Sequence, residues 1–331
     1  MPKFLIVRFS SIGDIVLTTP VIRCLKNQLA NVEIHYLAKN EYFHILSPNP
    51  HLSKVYSTDG SLKDVLPQLK KENYDLIIDL HRNLRSLKLK ASLRKKTVSF
   101  DKINLEKWLM VNFGIDRLPE KHIVDRYFET IKYLRVENDG EGLDFFIRNE
   151  DEINSLQLPS THQQGYIAIA IGAKHATKIL PLEKLIALCH SLQHPVILLG
   201  GKEDAERGEK ICAEVGANIY NACGKYNLGQ SASLIKQASV VITHDTGLMH
   251  IAAAFRKKII SIWGNTIPEF GMYPYLPFNF QQGSAIMEVN NLPCRPCSKI
   301  GYEKCPLGHF NCMNKIDTDE VARVAHGLIK N

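Results

Sequence analysis

Apolar residues in this chain fall in short, nearly unbroken runs, each followed by a turn and then by a stretch with helical spacing. In the first half the runs occupy residues 4–8, 33–37, 54–57, 75–80 and 97–100, with helical stretches at 16–28, 62–71 and 122–136. Runs without polar alternation mark strands buried on both faces, and strands alternating with helices predict a covered parallel sheet. The pattern stops at Glu137-Asn-Asp-Gly-Glu-Gly142 and again at Leu158-Pro-Ser-Thr-His-Gln-Gln-Gly165, both polar and rich in turn formers. It restarts with runs at 166–172, 196–200, 240–243 and 259–263, and a last helix is expected over 317–330. At 331 residues the chain exceeds what one core usually supports. Two α/β domains are therefore expected, residues 1–155 and 160–315, with 316–331 as a terminal helix. A cleft between two such domains would gather strand carboxyl ends and helix amino ends, a common ligand site.

Several turns carry candidate chemistry. Asp245-Thr-Gly-Leu-Met-His250 follows the run at 240–243 and opens a small-residue helix. Asp245 or Thr246 can cap that helix, Gly247 admits a close approach, and the free amides of a first turn favour an anion such as phosphate. His250 stands about one turn further in. An ordinary capped helix with a core histidine would read the same way. The first strand leads into Ser10-Ser-Ile-Gly-Asp14, where Asp14 is either a helix cap or a general base. In Gly172-Ala-Lys-His-Ala-Thr-Lys-Ile-Leu-Pro181, Lys174 and Lys178 could reach a diphosphate. Glycines 200 and 201, followed by Glu203 and Asp204, suit a ribose held by a carboxylate, or acids that merely complement a helix dipole. The G-x-G-x-x-G dinucleotide fingerprint is absent, which argues against a nucleotide-linked dehydrogenase.

Charge narrows the partners. The net charge of +7 is modest, but between Asp79 and Asp101 no acid occurs, while Arg82, Arg85, Lys88, Lys90, Arg94, Lys95 and Lys96 all do. Leu84, Leu87 and Ala91 fall at helical spacing there, predicting an amphipathic helix with a basic outer side. Such a face is either solvated or suited to a phosphorylated acceptor or an anionic membrane. Aromatic residues are not interleaved with it, so nucleic acid is not the expected partner. No apolar run reaches the roughly 18 residues that span a bilayer, and the amino terminus reads as a strand, so a cytoplasmic protein is expected. Cys24, Cys189, Cys212 and Cys223 sit among apolar neighbours as small core residues. Cys294, Cys297, Cys305 and Cys312 are clustered as C-x2-C-x7-C-x6-C, a spacing that admits a structural zinc site, with His309 as a competing ligand, or plain reduced thiols.

Taken together, Ser-Ser-Ile-Gly-Asp14, Lys178 before Leu-Pro181, Gly-Gly-x-x-Asp204, Gly224-Lys-Tyr-Asn-Leu228 and Asp245-Thr-Gly-Leu-Met-His250 resemble glycosyltransferase family 9, the ADP-heptose:lipopolysaccharide heptosyltransferases. The resemblance spans nearly the whole chain. It implies a GT-B fold of two Rossmann-like domains, the first for acceptor and the second for nucleotide sugar, with the carboxy-terminal helix crossing back to the first. It implies inverting transfer from an ADP-sugar to a phosphorylated glycolipid, with Asp14 as base and no cofactor or catalytic metal. Lys178 would bind diphosphate, Asp204 ribose, and a backbone group at Tyr226 adenine. Asp245, Thr246, Gly247 and His250 would hold phosphate and sugar. Ser11, Gly13, Arg82, Arg85 and Arg126, the last within Lys121-His-Ile-Val-Asp-Arg126, would face the acceptor. The expected form is a monomer in peripheral contact with the cytoplasmic face of the inner membrane. His175 and Ile179-Leu180 depart from the aromatic and Arg-Trp or His-Trp residues usual in the family, which leaves the sugar open. A GT-B-like sugar-nucleotide epimerase and a non-catalytic nucleotide-sugar-binding protein are the alternatives.

Overall fold

The computed structural model describes residues 1–330, which divide into two compact units. The first comprises 1–103 and 121–146. Its sheet contains β1 (Lys3–Val7), β2 (Glu33–Lys39), β3 (Lys54–Thr58), β4 (Leu76–Asp79) and β5 (Thr97–Ser99) in the order β3-β2-β1-β4-β5. Every pairing is parallel. Leu5, Ile6 and Val7 are fully buried, and burying each such side chain contributes about 1.5–3 kcal/mol. The chain runs outward from β1 in one direction through β2 and β3, then returns to the other side for β4. That reversal makes a switch point at the carboxyl ends of β1 and β4, where loops diverge and ligands bind in open α/β sheets.

The helix expected at 16–28 is two helices, Ile12–Val16 and Thr19–Gln28. The hydroxyls of Thr18 and Thr19 donate back to the carbonyls of Ile15 and Val16 at 2.7 Å each, and Pro20 starts the second helix. The basic segment does form a helix, Leu84–Leu93, but its register differs from the expectation. Asn83 accepts from the Ser86 amide at 2.9 Å in a capping box, and Ser86, Leu89 and Leu93 face inward. Leu84 and Leu87 are left 78% and 57% exposed.

The second unit comprises 104–120 and the chain from 147 onward. Its strands are β6 (Ile167–Ala170), β7 (Val196–Leu199), β8 (Ile219–Asn221), β9 (Val240–His244), β10 (Lys258–Trp263) and β11 (Ser284–Glu288), ordered β11-β10-β9-β6-β7-β8. All are parallel, and the switch point falls between β6 and β9. β8 and β11 were not expected from the sequence. The last helix, Thr318–Lys330, had been expected to cross back to the first half. It instead buries Val321, Ala322 and Ala325 in the core of the second unit, and its Asp319 accepts from Ser191 at 2.7 Å. Helix Asn104–Phe113 groups with this unit too, with Lys107 over the Phe270 ring and Leu105, Trp108 and Phe113 exposed. Among the described residues no helix is long and apolar enough to cross a membrane.

Candidate functional site

In the first unit the switch point gathers charged groups on one carboxylate. Asp14 sits in the first turn of helix Ile12–Val16, and its Oδ2 accepts from the Ser11 amide at 3.1 Å and the Ser11 hydroxyl at 2.8 Å. Its Oδ1 stands 2.6 Å from Nη2 of Arg8, the residue just after β1. Burial pushes the Asp14 carboxyl upward, but the Arg8 charge and the Ser11 donors prevail and hold it down to about 2. Arg8 is fixed in turn, donating to the Leu80 carbonyl at 2.6 Å and the Ser10 carbonyl at 2.7 Å. Gly13 is buried within the same turn and Ser11 is exposed beside it.

The loop after β4 adds His81, whose ring lies edge-on to Phe9 at 5.3 Å. Burial, then the nearby Arg8 charge, pull its imidazole down to about 4, so it is neutral near pH 7. Fully buried Asp79 shapes this loop, accepting from the His81 and Arg82 amides at 3.0 and 2.7 Å and pairing with Lys90 at 2.8 Å. Lys90 is thereby turned inward from the basic helix. Arg85 lies over the Phe9 ring at 5.2 Å, while Arg82 reaches away to the Phe100 carbonyl and Asp101. Arg126 is buried in helix Ile123–Ile131, and burial lowers its guanidinium pKa. Arg8 and His81 were missed in the sequence, where one is merely the residue ending a strand and the other the first of a basic stretch.

In the second unit, the loops after β6 and β9 meet. Lys178 Nζ lies 2.5 Å from Asp245 Oδ2, both side chains largely buried, and Thr266 donates to the same oxygen at 3.0 Å. Helix Gly247–Ala254 begins at Thr246, which makes no side-chain cap, so its first amides carry no side-chain acceptor. Helix amides of this kind, beside an ammonium, are able to receive an anion. His250 is buried one turn in. His244, at the end of β9, accepts from the Leu180 amide at 3.0 Å, and burial draws its imidazole down to about 4.

Asp204 and Tyr226 are the other residues expected in this unit. Asp204 is 6% exposed and already accepts from the Gly201 amide at 3.0 Å and from Arg207 at 3.2 Å. A methyl group at Gly172 would lie 1.9 Å from its Oδ2 and one at Gly200 2.7 Å away. It thus packs against both strand ends. Tyr226 follows a turn in which Gly224 (φ +71°) packs on the Lys202 backbone, and its hydroxyl meets that of Tyr220 at 3.1 Å.

Cys294, Cys297, Cys305 and Cys312 are all free thiols. They line a single cavity of about 20 Å³. Burial pushes the Cys312 thiol up to about 11, with Cys297, Cys305 and Cys294 adding to the effect.

A family model described as glycosyltransferase family 9 (heptosyltransferase) matches residues 64–303. Lys178, Asp245 and His250 lie inside that stretch and Asp14 lies before it. Over 290 residues, 80% of this chain and 84% of the relative, the sequence is 27% identical to lipopolysaccharide heptosyltransferase 1 of Campylobacter coli. The solved glycosyl transferase family 9 protein of Veillonella parvula DSM 2008 superposes with a TM-score of 0.80 at 22% identity, covering 99% of this chain and 97% of that one. The E. coli ADP-heptose LPS heptosyltransferase II structure gives 0.75 at 19% identity, covering 99% and 98%.

Proposed function

The chain belongs to glycosyltransferase family 9, and on that footing we propose that it moves a heptose or a closely related sugar from an ADP-linked donor to a lipopolysaccharide core or lipid A acceptor. The observation that carries the reading is the pair of switch points. One holds an ionised carboxylate, Asp14, and the other an ammonium and uncapped helix amides at Lys178 and Gly247. The curated relatives are named for lipopolysaccharide heptosyl transfer, which supports the same substrates here.

Transfer is assigned as a single displacement with inversion. Asp14, kept ionised by Arg8, accepts the acceptor hydroxyl's proton as that oxygen bonds to the anomeric carbon. A carboxylate held so low takes the proton only as the hydroxyl becomes acidic, which happens while the new bond forms. The leaving ADP gathers negative charge, met by Lys178 and the amides at the start of helix Gly247–Ala254. Asp245 holds the lysine in place and His250 lines the same helix. Asp204 acts through the loops it braces. Ser11 and Gly13 shape the turn that presents Asp14, while Arg85 supplies positive charge toward a phosphorylated acceptor, Arg82 being turned to Asp101 and Arg126 buried. No step in this scheme calls for a metal or cofactor.

Exposed Leu84 and Leu87 beside Lys88 and Arg94 further support peripheral contact with an anionic membrane, where the acceptor resides. The deciding experiment screens purified protein against ADP- and UDP-sugars, following nucleotide release with and without a deacylated core acceptor. Acceptor-dependent ADP release is expected. Release of UDP without acceptor would replace this reading with an epimerase, and ADP-sugar binding without turnover would leave a binding protein.

A further inference from the structure

Cys294, Cys297, Cys305 and Cys312 come from a loop-rich tail, yet they converge on one cavity together with His309 and Asn265. Asn265 is 1% exposed, and neither its Oδ1 nor its Nδ2 has a hydrogen-bond partner. A buried amide left in that state needs a partner, which a thiolate sulfur in the cavity would supply to Nδ2. Four sulfurs around a space for one small particle are a soft donor set, suited to zinc or ferrous iron and not to magnesium or calcium.

The walls of this cavity reach the donor site. Arg295, between the first two cysteines, donates to the Gly264 carbonyl at 2.7 Å and the Thr266 carbonyl at 2.9 Å, and Thr266 in turn holds Asp245. Tyr302, between the second and third, exchanges hydrogen bonds with Thr177: its carbonyl accepts from the Thr177 amide at 3.1 Å and its amide donates to the Thr177 hydroxyl at 2.8 Å. Thr177 adjoins Lys178. A methyl group at Gly264 would come within 2.6 Å of Met313 Cε and 2.7 Å of the Thr177 carbonyl, so these loops are closely packed.

We propose that the four thiols bind one thiolate-preferring divalent cation, zinc or ferrous iron, and that the ion fixes the loops presenting Lys178 and Asp245. Each coordinating thiol releases its proton to solvent on binding. Among the described residues, the group whose ligand atoms already stand within 4.8 Å of one another is Glu33, His35 and Glu72. The sulfurs therefore draw inward on loading, toward metal–sulfur distances of about 2.3 Å. Occupancy of the site stands on the thiols and Asn265 alone, whereas its effect on ADP rests on the donor reading given above.

The test begins with elemental analysis of untagged protein purified under reducing conditions. About one zinc or iron per chain is expected, the element deciding between them, with sulfur-to-metal charge-transfer absorption after cobalt substitution. Cys297→Ser and Cys312→Ser should lose the ion and Cys212→Ser keep it. ADP binding by Cys297→Ser should weaken roughly tenfold, the lower end of what disturbed metal surroundings cost. Where a variant fails to fold, the wild-type metal content and zinc uptake by reduced apo-protein decide the matter. Absence of metal together with no uptake, or a disulfide among the four in unreduced protein, would overturn the site. Unchanged ADP affinity in metal-free Cys297→Ser would overturn the positioning role. Wild-type protein that binds metal but not ADP would sink the donor reading and leave the metal site standing.

Discussion

Replacing Asp14 by Asn keeps the shape of the side chain and removes its charge, which separates a base from a structural ion pair. Three donors converge on this carboxylate: Arg8 on one oxygen and the Ser11 amide and hydroxyl on the other. An Asn must point its NH₂ at one of these sets, so at least one contact becomes donor against donor. The native carboxyl is held at about 2 against an ordinary 3.8, and that displacement corresponds to about 2 kcal/mol of stability at neutral pH. Arg8 would also lose its carboxylate while remaining buried, although the Leu80 and Ser10 carbonyls still accept from it. A loss of about 2–4 kcal/mol is expected, and a Tm fall of roughly 5–10 °C. Well below that Tm, turnover should fall by about 10²–10⁴, the usual contribution of a general base. ADP affinity should change by less than about twofold, since the donor residues share no partner with Asp14. Ser11→Ala is the control: it removes one donor worth about 1 kcal/mol but leaves the carboxylate, so turnover should stay within about tenfold. The readouts are ADP release under saturating donor, calorimetric ADP binding and thermal unfolding. If the Asp14→Asn variant unfolds earlier as expected yet turns over within tenfold of wild type, Asp14 is a structural counterion and the base lies elsewhere.

Lys178→Ala should lower kcat/KM by about 10²–10³, as loss of one preorganised donor does, with weaker ADP binding by calorimetry; an effect under threefold would remove Lys178 from the diphosphate site. Buried His244 has its folded pKa drawn down to about 4, so its contribution to stability is fully present above pH 6.5 and declines as pH falls toward 4. The cost by pH 5 is about 2 kcal/mol, and urea unfolding at pH 7 and pH 5 should show a flatter dependence for His244→Gln than for wild type. Replacing Leu84 and Leu87 together by Ser should weaken sedimentation with anionic vesicles by about tenfold or more while leaving turnover of a deacylated acceptor unchanged; equal vesicle binding by both proteins would make this face simply solvated.

The sheets were legible in the sequence because strands such as β1 and β9 are buried on both faces and read as unbroken apolar runs. β8 and β11 escaped notice because Ile-Tyr-Asn is short and Ser-Ala-Ile-Met-Glu only half-buried. The basic helix shows where periodicity stops being decisive. Residues 84, 87 and 91 have the same spacing as 86, 89 and 93, and both sets close one helical face. The Asn83–Ser86 capping box and the inward pull of Asp79 on Lys90 select the second. Asp14, Lys178 and Asp245 stand out in the sequence by their positions after strands, and the structure pairs the last two. Arg8 and Thr266 do not: Arg8 reads as the end of a strand, and Thr266 reaches Asp245 from 21 residues further along the chain.

Residues 104–120 belong with the second unit although the chain has not yet finished the first. The polypeptide therefore passes between the units three times, near 103, 120 and 146, and neither unit can be produced as one uninterrupted fragment. Cutting at 147 would strand helix Asn104–Phe113 on the wrong piece, baring the surface that meets Phe270 and adding it to the already exposed Leu105, Trp108 and Phe113. Such a truncated product should aggregate, so dissection of this enzyme requires a circularly permuted or internally deleted chain.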